Sequence, residues 1–149
     1  MDAAAVSSML TELFATIQLL SGYPVPERHP PVTVLPAAEL QEMICKRPCA
    51  VKAFYLPDKG VFVSRDSNIQ DDIQARSVLL HELVHHLQHL SGKFESLDTP
   101  CRRWQAREVE AYEIQHKYLR RLGATRSFIG LDTVPITCPE DRKDEAPRN

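Results

Sequence analysis

The stretch His81-Glu82-Leu83-Val84-His85 constrains this chain more than any other, because its two histidines and its acid can act together only on a helix. Residues four apart on a helix stack on one face, so both imidazoles can point at a single cation. Ile73, Leu80, Leu83, Val84, Leu87 and Leu90 recur around the motif at helical spacing, and Ser91-Gly92 closes the pattern. The pattern predicts a helix over residues 73–90 with the motif at its middle and Asp71 or Asp72 as N-cap. Glu82 lies one residue round from His81, placed to serve a metal-bound water without ligating the metal. Zinc chemistry asks for that division: neutral nitrogen ligands, an open coordination position and a carboxylate base beside it.

Two histidines need a third protein ligand. Residues 102–122 read as the last long helix, after a loop containing Pro100 and before Gly123, and they offer Glu108, Glu110, Glu113 and His116. Trp104, Glu108, Ala111, Tyr112, Gln115 and Leu119 share one face, where Ala111 leaves room for a close neighbour. Glu110 projects about 160° away, on the side of Lys117 and Arg121, which reads as solvent. Glu108 is the expected third ligand. His116, two turns beyond it, is the competing ligand, an oxyanion donor or a polar surface histidine. His85 and His89 repeat the four-residue spacing, but that pair has no acid in the base position; His86 and His89 read as ordinary polar residues of the helix. Asp98, in the loop between the long helices, is either a support for a ligand imidazole or a solvent-facing acid.

The rest of the chain supplies a scaffold. Val6, Met9, Leu10, Leu13, Phe14, Ile17 and Leu20 mark an amphipathic helix over residues 3–20, ended by Ser21-Gly22. Pro24, Pro26, Pro30 and Pro31 force an extended connector into a short β-branched strand at residues 32–35. Pro36 opens a helix over 37–46, which Pro48 stops. Residues 51–64 form a β-hairpin around Pro57-Asp58-Lys59-Gly60, and a polar loop follows. The expected class is α+β: a small hairpin-containing sheet packed on the motif helix and the helix after it. Residues 1–138 form one domain and 139–149 a disordered tail.

Hydrophobic content of 43% and charged content of 26% are ordinary for a globular protein, and a net charge of −2 offers no general attraction to nucleic acid or anionic membrane. The arginines and lysines of residues 102–126 are diluted by Glu108, Glu110 and Glu113 and read as a solvated face. No continuous stretch is expected to reach transmembrane length, and an acid at Asp2 replaces the basic start of an export signal. As written the chain reads as cytoplasmic. Cys45, Cys49, Cys101 and Cys138 allow four thiols or two disulfides in three pairings, and disulfides would go with an exported or periplasmic protein whose signal had been trimmed. A Cys101–Cys138 bridge would tether the C-terminal arm.

His81-Glu82-Leu83-Val84-His85 followed by Glu108-Val109-Glu110-Ala111 resembles the gluzincin group of zinc metallopeptidases, over roughly residues 50–120. That group joins HExxH on one helix to a Glu-x-x-Ala element on a following helix. The resemblance implies a zincin-like fold holding one Zn²⁺ ion, with His81, His85 and Glu108 as ligands and Glu82 as general base. Tyr112 stands where many such sequences place an acid. Tyr112, His116 and Tyr55 are the oxyanion candidates. The expected activity is hydrolysis of peptides or unfolded protein segments, lying extended beside Val61–Ser64 in a shallow cleft. The alternative is a catalytically silent zinc-binding regulatory or interaction module that keeps the site.

Overall fold

In the computed structural model, which describes residues 1–46, 49–124 and 138, four helices surround a three-stranded sheet. The elements in order are α1 (Ala3–Ser21), β1 (Val32–Leu35), α2 (Ala37–Ile44), β2 (Ala53–Leu56), β3 (Gly60–Ser64), α3 (Ile73–Ser91) and α4 (Pro100–Arg121). The architecture is α+β, as the apolar periodicities predict. The expected stop at Pro48 and the expected tail at 139–149 lie outside the described residues.

Local chemistry explains the boundaries. Asp2, Asp72 and Thr99 each accept a main-chain N–H of the first turn of α1, α3 and α4. Pro100 belongs to α4, not to the preceding loop, because the first turn of a helix has no use for the N–H that proline lacks. Gly22 and Gly92 close α1 and α3 in the left-handed conformation.

Sheet order is β1-β3-β2, with β1 parallel and β2 antiparallel to β3. This corrects the expectation that a substrate lies beside Val61–Ser64: β3 is the central strand, and both of its edges are already paired. Gly60 makes the arrangement possible, since a Cβ there would sit 2.3 Å from the Pro31 carbonyl oxygen that accepts the Val61 N–H. The open edge nearest α3 belongs to β2. Ser64 donates to the Lys52 carbonyl, so alternation turns the main-chain groups of Ala53 and Tyr55 away from β3.

The core joins Leu10, Leu13, Phe14 and Ile17 of α1 to Val61 and Val63 of the sheet, Leu80, Leu83 and Val84 of α3, and Ile114 and Leu119 of α4. α3 runs through the middle, packed on α4, β2, β3 and α1. Enclosure on so many sides buries polar residues of α3 along with apolar ones: Ser77, His81, Glu82 and Gln88 are all buried.

α1 corrects a second expectation. At 19 residues and a mean hydropathy of 1.4 it is long and apolar enough to cross a bilayer by length and composition. Counting only unbroken apolar runs missed it, because Ser7, Ser8, Thr11 and Glu12 interrupt the pattern. Its buried face nonetheless belongs to the core.

Glu110 corrects a third. Its angle on α4 is as expected, but that side is covered: the carboxylate accepts from the Tyr23 hydroxyl, Lys93 Nζ and Gln88 Nε2. Gln88 comes on α3 itself and Tyr23 and Lys93 on the segments just after α1 and α3, none of which a helical projection of α4 alone shows. The cysteines pair as Cys45–Cys49 and Cys101–Cys138, the latter placing residue 138 beside the start of α4.

Candidate metal centre

His81 and His85 project from the middle of α3 toward α4, where Glu108 meets them. The His85 Nε2 lies 2.8 Å from Glu108 Oε1, His81 Nε2 lies 3.2 Å from Glu108 Oε2, and the two imidazole Nε2 atoms are 3.1 Å apart. One carboxylate thus spans both rings. Donors held 2.0–2.1 Å from a tetrahedral ion stand about 3.3 Å apart, so a small expansion of this triad accommodates zinc. The donor set, two imidazole nitrogens and one carboxylate, suits that ion. His116 is half-buried on α4 and is not part of this cluster.

What orients the rings is a pair of glutamines. His81 Nδ1 is 2.9 Å from Gln115 Oε1, and the Gln115 amide is turned that way because its Nε2 donates to Ser77 Oγ. His85 Nδ1 is 2.8 Å from Gln88 Oε1, while Gln88 Nε2 donates to the Arg107 carbonyl and to Glu110. Each oxygen can accept an Nδ1–H, and a neutral ring held that way would offer its Nε2 lone pair to an ion at the common point. Sequence reasoning assigned neither glutamine a role. The signal was there in the spacing: Gln88 lies three residues after His85, and Gln115 lies two turns after Glu108 on its face. Asp98, by contrast, is exposed and pairs with Arg102 at 3.8 Å, which is the solvent-facing one of its two expected placements. We expect Gln115→Leu to weaken zinc affinity by about 10–100-fold, as loss of a ligand-orienting partner does. Competition with a chromophoric chelator measures it, and unchanged affinity would count against the tautomer assignment.

Glu82 is buried beside the triad, and its Oε2 accepts the Tyr55 main-chain N–H at 2.9 Å. Burial pushes its pKa above the usual carboxylate range, against the opposing pull of His81 and His85. Burial also disfavours charge on Glu108, but hydrogen bonds from both imidazoles outweigh it and bring that carboxyl down to about 2. His85 responds in the opposite sense: burial lowers its pKa, yet Glu108 and Glu82 raise it further than burial depresses it.

These shifts make the metal-free protein pH-sensitive. Glu108 contributes stability that is complete above its ordinary 4.5 and lost as pH falls toward 2. His85 contributes stability that is complete below its ordinary 6.5 and lost as pH rises through its raised value. The pair therefore stabilises most between 4.5 and 6.5. Urea midpoints of chelator-treated wild type and Glu108→Gln should differ more at pH ~5.5 than at pH ~8.5. An equal gap at both would contradict the pairing.

Glu82, His85 and Glu108 open onto a cleft of about 350 Å³, walled by Phe54, Tyr55 and Pro57 on the β2 side and by Trp104 and Arg107 on α4. Trp104 and Arg107 had no assigned place in the site; both lie within one turn of Glu108. Tyr112 packs its ring against His81, with centroids 4.3 Å apart. The Tyr55 hydroxyl is 3.1 Å from His86 Nδ1, and burial together with Asp58 pushes the phenol up to about 12. His89 is exposed and lies 3.4 Å from Asp58, not in a shifted pair with His85.

Residues 2–139 match the family model described as a domain of unknown function, DUF6647, and the chain belongs to that family. No curated protein and no solved structure matches it.

Proposed function

We propose that this protein is a zinc-dependent metallopeptidase of zincin-like architecture, hydrolysing peptides or unfolded protein segments. The observation that carries the reading is the convergence of His81, His85 and Glu108 donor atoms within 4.8 Å of one another, with a fourth residue, Glu82, buried alongside but outside the donor set. A cage meant only to hold an ion has no need of that extra acid.

His81, His85 and Glu108 would hold the ion. Zinc bound there supplies Lewis acidity and lowers the pKa of a bound water to about 7. Glu82 is the base: its raised pKa suits it to take a proton from the attacking water and deliver it to the leaving amine. Its Oε2 is held by the Tyr55 amide, so Oε1 carries the proton transfer. Arg107 places a cation in the cleft wall, where negative charge on the scissile carbonyl oxygen would develop. Among the described residues an extended segment has the outer edge of β2 beside the site, apart from the Tyr55 N–H that Glu82 holds, and the cleft's volume fits a side chain or two in place of a folded surface.

The test pairs metal analysis with an assay on a reduced, alkylated protein substrate. The expected result is one zinc per chain and peptide release that a chelator abolishes and zinc restores. Zinc retained at that stoichiometry without cleavage of any unfolded substrate would favour the silent metal-binding module instead.

A further inference from the structure

The side of α3 that faces the hairpin carries a second arrangement, in which Tyr55 and His86 surround the proposed base without taking a chemical step themselves. Glu82 and His86 are four residues apart, so they project from one side of the helix. Both engage the same residue of β2. The Tyr55 main-chain N–H donates to Glu82 Oε2 at 2.9 Å, and its hydroxyl lies 3.1 Å from His86 Nδ1. The two rings meet edge-on with centroids 5.5 Å apart, and Tyr55 is 8% exposed. Among the described residues β2 is an edge strand paired with β3, and the contact between His86 and the phenol adds a side-chain anchor from α3 to it.

We propose that Tyr55 and His86 form a clasp that positions the Glu82 carboxylate, which makes both of them positioning residues for the hydrolysis proposed above, on which this inference rests. His86 sets where β2 sits along α3, β2 sets where the Tyr55 N–H sits, and that N–H holds one oxygen of Glu82. The other oxygen is left to the water. Tyr55 therefore serves through its main chain and its anchor, not as an oxyanion donor. Proton transfer tolerates little misplacement, since about 1 Å of error in a reacting group costs on the order of a hundredfold in rate.

Tyr55→Phe removes the hydroxyl alone, and His86→Phe removes its partner. In the zinc-loaded full chain each should lower kcat about tenfold with KM and zinc stoichiometry unchanged, and the double variant should be no worse than either single one. His86→Gln, which restores a polar partner for the phenol, should recover most of the loss. A merely structural role would lower Tm and zinc occupancy without separating kcat from KM. Amide hydrogen exchange at residue 55 reads the same contact without catalysis: slow in the wild type, and about tenfold faster in Glu82→Ala and His86→Phe, with or without zinc. Should Tyr55→Phe fail to fold, the two His86 variants and the exchange measurement carry the test. Wild-type kcat in both single variants, with Glu82→Gln inactive, would overturn the clasp and leave the peptidase reading standing. Equal hydrolysis by wild type and Glu82→Gln would overturn both.

Discussion

Glu82→Gln is expected to bind one zinc per chain and to hydrolyse an unfolded protein at least about a hundredfold more slowly than the wild type. The substitution keeps the shape of the side chain and an oxygen that can still accept the Tyr55 amide hydrogen. It removes only the capacity to take up a proton. Because Glu82 is not among the three donors, the cage should be untouched, and metal content becomes the internal control. General base catalysis is worth roughly two to four orders of magnitude, which sets the size of the effect. Loss of zinc together with activity would show that Glu82 holds the metal site together, and equal activity would remove it from the mechanism.

The second large effect is on stability. Zinc at about a thousand times its dissociation constant should stabilise the fold by ~4 kcal/mol, which for a chain of this size raises Tm by about 8–16 °C. Glu108→Ala should abolish most of that rise. The carboxylate is one of the three proposed ligands, and without it an ion would keep two imidazoles on a single helix and nothing from α4. Only the folded chain brings donors of α3 and α4 together, and that preference for the folded state is what converts affinity into thermal resistance. Glu108 also pairs with both rings in the metal-free protein, so the comparison must be made between chelated and zinc-loaded samples of each variant. An identical zinc-induced shift in wild type and Glu108→Ala would mean that the ion binds elsewhere.

Much of the scaffold was legible because its signals are local. α1 and α3 carry apolar residues at helical spacing between a capping acid and a glycine, and the hairpin announces itself by Pro57, Asp58 and Gly60 between β-branched and aromatic arms. The parallel pairing of β1 with β3 was not legible, since it depends on Gly60 meeting Pro31 across the fold. At the site, a face of α4 combining Glu108 with Ala111 and Gln115 could be drawn from spacing alone. What that face meets could not. Gln88 and Gln115 are amides whose roles exist only once α3 and α4 lie side by side, and Tyr55 reaches Glu82 through a backbone atom that no side-chain pattern encodes. Glu110 shows the same limit from the other direction: the angle was correct, but the covering groups arrive on segments remote in sequence.

Glu110 has a reach that its distance from the cleft conceals. Through Gln88 it is wired to His85, so that imidazole is braced by two acids from opposite flanks of α4, one in person and one by relay. Lys93 and Tyr23 load the far end of that relay. On the proposed peptidase reading, a genetic screen for inactive mutants would recover lesions around Tyr23 and Lys93, and their carriers would resemble mutants of the proposed metal site although no altered atom touches His81, His85 or Glu108.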